Sequence, residues 1–332
     1  MDIETKERTQ EQIASEESPE EVKKKKVAVK VPTSCLFGRL DNTLPNYHRV
    51  DLKCPKEREH MQKIMQYSPG MFCVFKTTAR MITLKYKTHF SSDTYALPLK
   101  SKVEPIVLGL DCFGVWNVLN YIRVFEKDVE KKIATDTTLQ FQVKNDQEFE
   151  LFQLCFPTMS TMMELTLVAK EPIEFVKPPE CKLVFVGSSV AQDNYSSNHM
   201  NICPYLYRKY GVNCTTLAVS GYHTFICDEL LDVLSKQDKT CILMDVLHID
   251  KDIYAKAKTK FKKLVPFVIY KDRPNVNDII RANRLGKRDL VVLPGDCMWD
   301  SVHINDYGTA FYCDQLCKRG LIPGVKPPEA DK

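Results

Sequence analysis

Near the C-terminal end, Asp300 and His303 stand three apart in Trp-Asp-Ser-Val-His-Ile-Asn-Asp (299–306). Far upstream, Ser188 and Ser189 follow Gly187 in Phe-Val-Gly-Ser-Ser-Val-Ala-Gln (185–192). A serine hydroxyl is a poor nucleophile until a base takes its proton. Histidine can be that base near neutral pH. A carboxylate bound to its other ring nitrogen fixes tautomer and orientation. Asp and His three apart on an irregular loop or a helical turn can face one way. Each residue also has a plainer reading: Ser189 as a turn serine, Asp300 as an Asx-turn residue, His303 as a loop residue before a helix. Asn305 and Asp306 are both good helix caps, so capping does not account for His303.

These residues need elements to position them, and the second half of the chain supplies a pattern. From residue 181 onward, apolar runs (CKLVFV, NCTTLAV, TCILMDVL, VPFVIY, DLVVLP) alternate with helix-like stretches (NICPYLYRKYG, FICDELLDVLSKQ, DIYAKAKTKFKKL, VNDIIRANRLG, NDYGTAFYCDQLCKRG). This alternation predicts a parallel sheet flanked by helices. Ligands in such sheets sit beyond the carboxyl ends of the strands. Ser188 and Ser189 follow the first strand. Gly221 follows the second in LAVSGYHTF, Asp245 and His248 the third in LMDVLHID, and Asp300 and His303 the fifth. Backbone N–H groups near Ser189 and at Gly221 would suit a developing oxyanion. The order Ser, Asp, His along the chain is one that α/β esterases use.

The first half reads differently. Residues 33–178 hold short strand-like runs with turn signals between them, such as MITLKYK, TTLQFQVK and MELTLVAKEPIEFV, which predict a sandwich. Val-Lys-Pro-Pro-Glu (176–180) is a stiff joint and marks the boundary. Residues 1–32 are a charged tail, acidic and then basic through Lys23–Lys26, expected to be disordered. Residues 324–332 form a short C-terminal tail.

Composition excludes several classes. Of 332 residues, 44% are hydrophobic and 27% charged, and the net charge of +4 is too small and too dispersed for a dedicated nucleic-acid binder. The 13 cysteines are scattered singly in apolar stretches and lack zinc-site spacing, so no metal is expected. Cys203, Cys227 and Cys297 read as core or loop thiols, because Ser189 fits the chemistry better. A reducing, intracellular and cytoplasmic setting is expected, since the N-terminus is charged where a signal peptide needs an apolar run. No run reaches 18 apolar residues, so no membrane span is expected. The lysines of KDIYAKAKTKFKK (251–263) read as a solvated helix face, with an anion-binding face as the alternative.

With these residues in view, the second half resembles the SGNH (GDSL-type) hydrolases. FVGSSVAQ resembles their first block, with Ser189 at the nucleophile position. LAVSGYHTF resembles the second, with Gly221 at the oxyanion glycine. DSVHIND resembles the fifth, where Asp300 and His303 complete a triad. The chain resembles the subfamily with an N-terminal β-sandwich, whose Gly-x-Asp-Leu-Tyr motif corresponds to GLDCF (109–113). The likeness spans roughly residues 70–320. It implies an α/β fold: a three-layer α/β/α, flavodoxin-like domain (179–323) preceded by a jelly-roll-like β-sandwich (33–178). It implies hydrolysis of a small acyl ester, such as an acetate, through an acyl-enzyme without cofactor, on a small-molecule or glycan-like substrate.

Three positions depart from the family pattern. Ser188 stands where Asp or Thr precedes the nucleophile. Tyr222 follows Gly221 where the subfamily has Asn. His248 stands roughly where an asparagine donates to the oxyanion. A neutral imidazole has one N–H to donate instead; losing one oxyanion donor costs about 10²–10³ in rate. Asn198, His199, Tyr222 and His223 are candidates to line the substrate. The rival readings are a pseudo-hydrolase serving as an interaction module, motivated by His248 and Tyr222, and a nucleic-acid or anionic-surface binder working through the lysine runs. The sequence leaves the oligomeric state open.

Overall fold

The computed structural model describes residues 25–89, 105–120, 139–158, 160–192, 196–218, 228–244, 251–270 and 276–328. Its N-terminal strands are β1 (Val27–Lys30), β2 (Leu36–Phe37), β3 (Phe72–Lys76), β4 (Met81–His89), β5 (Ile106–Leu110), β6 (Trp116–Val118), β7 (Leu139–Lys144), β8 (Leu151–Cys155), β9 (Thr161–Ala169) and β10 (Glu174–Phe175). They form two antiparallel sheets, one in the order β1-β9-β4-β7, the other β10-β3-β8-β5-β6 with β2 on β3. Alternation explains the facing. In β4, Ile82, Leu84 and Tyr86 are buried while Met81 and Lys85 are exposed. These side chains meet Phe75, Phe152 and Leu154 of the other sheet in one core.

Five further strands follow the alternating pattern: β11 (Leu183–Gly187), β12 (Cys214–Ala218), β13 (Thr240–Leu243), β14 (Leu264–Pro266) with its continuation β15 (Val268–Tyr270), and β16 (Leu290–Val292). All pairs are parallel, in the order β12-β11-β13-β14, with β15 on β16. Phe267 N–H donates to Leu243 O, and Ile269 N–H to Met244 O, so β15 continues the edge that β14 begins. Every residue of β11 is buried. Leu183 and Phe185 face helices Ile202–Tyr210 and Asp306–Lys318, while Val184 and Val186 face helices Asp228–Ser235 and Lys251–Lys260. Burial on both sides is why this strand is a continuous apolar run.

The two halves share apolar contact. Phe72, Val74, Leu108 and Cys155, on the outer face of the second antiparallel sheet, join the cluster formed by Ile202, Cys203 and Leu206. Phe37 and Phe72 stack with ring centroids 4.7 Å apart, and both meet Tyr207.

Two stretches differ from the sequence expectation. Val27–Lys30 fell in the expected charged tail, but it pairs with β9, Val27 opposite Ala169, and Val31 just beyond it is buried. Val27 itself is exposed, so the strand is held by its backbone pairing with β9 and by the burial of Val31 rather than by a buried valine face. The stretch from Leu40 to Tyr67 carries the helix Glu59–Met65 rather than strands. Its Leu40, Val50, Leu52, Met65 and Tyr67 pack with Val184, Val186 and Leu217 of the parallel sheet. Arg49 is wholly buried in this stretch, donating to Tyr67 O at 2.8 Å and to Thr216 O, and burial lowers its guanidinium to about 9. These contacts are long-range, so local pattern does not carry them.

The lysine run reads as part of the helix surface: Lys256 pairs with Asp228, Lys260 with Asp232 and Lys263 with Asp238, on and beside the neighbouring helix. The described cysteines are free thiols, buried apart from Cys54 and Cys112. Among the described residues, no helix is long and apolar enough to cross a membrane.

The last helix begins beside the loop that carries Asp300 and His303. Asn305 caps it, its side-chain oxygen accepting the N–H of Gly308 at 3.0 Å. A Cβ on Gly308 would lie 2.2 Å from Cys297 O and 2.9 Å from Ile304 Cβ. Backbone and core cannot both move aside. Gly308→Ala is therefore expected to destabilise the fold by about 1–3 kcal/mol, the usual range for overpacking, measured as a lowered urea midpoint.

Candidate active site

Ser188 and Ser189 leave the sheet at the carboxyl end of β11, and Gln192 N–H closes the turn onto Ser188 O at 3.0 Å. The chain passes from β11 to β12 on one side and returns to β13 on the other. This reversal opens the crevice in which ligands bind in such sheets. His303 must arrive from beyond β16, three interstrand steps from β11, or roughly 14 Å at ordinary strand spacing. The loop after β16 spans this distance by way of a short 3-10 turn, Gly295–Cys297.

The loop ends in a miniature antiparallel ladder. Met298 pairs with Ile304, and the flanking bonds run from Trp299 N–H to His303 O (2.8 Å) and from Asn305 N–H to Cys297 O (3.1 Å). Ile304 is 1% exposed and Met298 packs beside it against the main core, which anchors one face of the ladder. The tip is closed by Asp300, whose Oδ1 accepts the N–H groups of Val302 (2.6 Å) and His303 (2.7 Å).

The other carboxylate oxygen, Oδ2, lies 2.8 Å from His303 Nδ1, and His303 Nε2 lies 3.0 Å from Ser189 Oγ. Asp300 is thus both an Asx-turn residue and the partner of the imidazole, using a different oxygen for each. Nδ1–H donating to the carboxylate leaves Nε2 as an acceptor for the serine hydroxyl. Burial pushes the Asp300 carboxyl upward. The bonds from the His303 ring and from the two N–H groups outweigh it and hold the carboxyl below its ordinary range.

A second link joins the segment after Ser189 to the same helix start. Asp306 accepts Ser197 N–H at 2.6 Å and Ser197 Oγ–H at 2.7 Å, while Ser196 Oγ lies 2.7 Å from Thr309 Oγ1. Asp306 therefore ties the two loops together, while Asn305 does the capping. Asn198, expected near the substrate, is buried and accepts from Thr158 Oγ1 at 2.9 Å. His199 is mostly enclosed, and its Nδ1 is shielded from solvent without a hydrogen-bond partner among the described residues. Burial first, and then Arg208, lower its imidazole to about 4. Sequence reasoning missed Thr158 and the Ser197–Asp306 link, whose partners lie far apart in the chain.

Gly221, Tyr222, His223 and His248, with Asp245 and Cys227, lie outside the described residues. Cys203 is buried beside Thr216, and the Cys297 thiol is pushed upward by burial and by Asp296. Asp111 of GLDCF accepts the N–H groups of Phe113 and Val115 and the amide of Asn117, closing the β5–β6 turn. Ile106 pairs with Cys155 and Leu110 with Leu151, so this turn sits at the far end of β5 from Thr158. A cleft of about 420 Å³ beside β16, lined by Tyr270, Val292, Phe311 and Arg319 among others, contains none of Ser189, Asp300 and His303.

No family model and no curated protein matches the chain in sequence. Solved structures do match in fold. A GDSL-like lipase from Bacteroides ovatus ATCC 8483 aligns over 90% of this chain and 100% of its own, with a TM-score of 0.66 and 19% identity. The salicylyl-acyltransferase SsfX3 of a tetracycline biosynthetic pathway aligns over 89% of this chain and 97% of its own, with a TM-score of 0.56 and 12% identity. A carbohydrate esterase family 2 enzyme of Corynascus aligns over 75% of this chain and 92% of its own, with a TM-score of 0.45 and 12% identity. The fold is thus one shared with a GDSL-like protein and combines antiparallel and parallel sheets with helices, consistent with an α/β arrangement.

The enclosed His199 has a consequence for acid stability. In the unfolded chain its imidazole takes up a proton near the ordinary value of 6.5, but in the folded chain only at about 4. The unfolded state binds more protons across that window, so stability falls as pH drops through it. His199→Leu keeps an apolar body without the titrating ring. Its urea midpoint is expected to fall less than that of the wild type as pH is lowered from 6.5 toward 4; equal falls would contradict the assignment.

Proposed function

We propose that the chain is an SGNH-type serine esterase, with Ser189 as nucleophile, His303 as base and Asp300 as its orienting carboxylate. The observation that carries this reading is the run of two hydrogen-bond distances, Ser189 Oγ to His303 Nε2 at 3.0 Å and His303 Nδ1 to Asp300 Oδ2 at 2.8 Å. It lies at the carboxyl end of the strand where the parallel order reverses. We read the two antiparallel sheets, with β1 added to the expected 33–178, as the family's β-sandwich, and the parallel sheet with its helices (179–323) as its three-layer domain.

In this mechanism Nε2 takes the proton of Ser189 as Oγ attacks the ester carbonyl. The Ser189 N–H and the Gly221 N–H, with His248 in place of the family's asparagine, hold the oxyanion. The tetrahedral species collapses as Nε2–H protonates the departing alkoxide. Water then attacks the acyl-enzyme, with His303 again as base. Asp300 and His303 are both partly exposed, and water is the acceptor we propose. The substrate we propose is a small acyl ester, an acetate first among them, and no cofactor enters any of these steps.

The test is labelling with a serine-directed fluorophosphonate. Wild type is expected to label and Ser189→Ala not. Labelling of neither by well-folded protein would turn the reading toward an interaction module that has kept the hydrolase fold. Asp300→Asn keeps an oxygen for the two turn N–H groups but faces the imidazole with an amide. It is expected to lower kcat by about 10⁴, the cost of the wrong tautomer, with little change in the urea midpoint.

A further inference from the structure

We infer that Trp299 is a specificity-determining residue that contacts the alcohol portion of the ester, and that the preferred substrates carry a flat, largely apolar alcohol. The inference rests on the serine-esterase reading of Ser189 and His303, and it follows from the ladder that holds His303. Met298 and Ile304 are a directly opposed pair, and the bond from Trp299 N–H to His303 O makes Trp299 and His303 the next one. Residues opposed across an antiparallel ladder project from the same face, and successive residues from opposite faces. Met298 and Ile304 point into the core. Trp299 and His303 therefore share the outward face, the one from which His303 reaches Ser189.

Trp299 is 54% exposed, a large apolar side chain left beside a polar site. Exposed apolar residues are ordinary singly, so exposure alone says little; its position relative to the proton path says more. In acylation the Ser189 Oγ–carbon bond forms and the ester carbon–oxygen bond breaks. The proton that Nε2 took from Ser189 passes to the departing oxygen. That oxygen must lie within reach of Nε2, so the alcohol portion leaves on the His303 side and the acyl portion lies away from it. The side chain opposed to His303 thus borders the alcohol and not the acyl group. An indole offers a rigid π-face to a flat partner at low entropic cost.

The test compares the wild-type full chain with Trp299→Ala and Trp299→Phe on two ester series. One varies the alcohol at constant acyl group (β-naphthyl acetate against ethyl acetate). The other varies the acyl group at constant alcohol (ethyl butyrate against ethyl acetate). In Trp299→Ala, the naphthyl-to-ethyl ratio of kcat/KM is expected to fall about tenfold, the scale of one aromatic contact. Trp299→Phe is expected to retain most of the ratio that Trp299→Ala loses, and Trp299→Leu, bulky but not aromatic, takes the place of the alanine variant if that does not fold and is expected to lose the ratio in the same way. The butyrate-to-acetate ratio is expected to stay within about twofold, as no aromatic contact is lost on the acyl side. If the variants hydrolyse ethyl acetate normally and the alcohol ratio is unchanged, or the acyl ratio moves instead, the inference is overturned while the esterase reading stands. If the wild type turns over no ester and takes no fluorophosphonate label, the esterase reading fails and this inference with it.

Discussion

Strand Leu183–Gly187 is paired in parallel on both edges and buried on both faces, and the rest of the site is placed by that constraint. A strand so enclosed cannot shift register without exposing apolar side chains and breaking two ladders at once. Its carboxyl end is therefore a fixed point. Ser189, two residues beyond it, inherits that fixity without needing a hydrogen-bond network of its own. The remaining groups come to it on loops, and each loop is fastened by a different means.

The loop after β16 is fastened by geometry that admits little variation. Its ladder, the turn closed by Asp300 and the close contact between Gly308 and Cys297 O all act within one short segment. The segment after Ser189 is held from two sides, by Asp306 through Ser197 and by Thr158 through Asn198. Thr158 lies just past β8 and Asp306 begins the last helix, so the antiparallel and parallel halves both contribute. The shared core of Phe37, Phe72 and Tyr207 gives that arrangement a rigid base.

Much of this was legible in the residues themselves. Period-two alternation marked Ile82, Leu84 and Tyr86 as one face, and the alternation of apolar runs with helical stretches marked a parallel sheet. The position of Ser189 and of the Asp300–His303 pair after predicted strands brought them to one end of it. What escaped the sequence has a common cause, since it depends on pairs of residues distant in the chain. Leu40 to Tyr67 shows no period because its apolar residues answer to the parallel sheet rather than to a neighbour. Val27–Lys30 looked like tail because its strand partner lies about 140 residues away. Ser197 and Asp306 are ordinary loop residues until the fold apposes them. Asn305 and Asp306 looked equivalent as caps, and only the three-dimensional setting separates their tasks.

Asp300 holds a lesson for comparing relatives. Its two oxygens answer to separate demands, one from the backbone of the turn and one from the imidazole. Selection for a properly formed loop would preserve this aspartate in a relative that does no chemistry. Its persistence is thus poor evidence of activity. Ser189, whose hydroxyl lies 3.0 Å from His303 Nε2, is under the proposed reading the position at which an inactive lineage would diverge first.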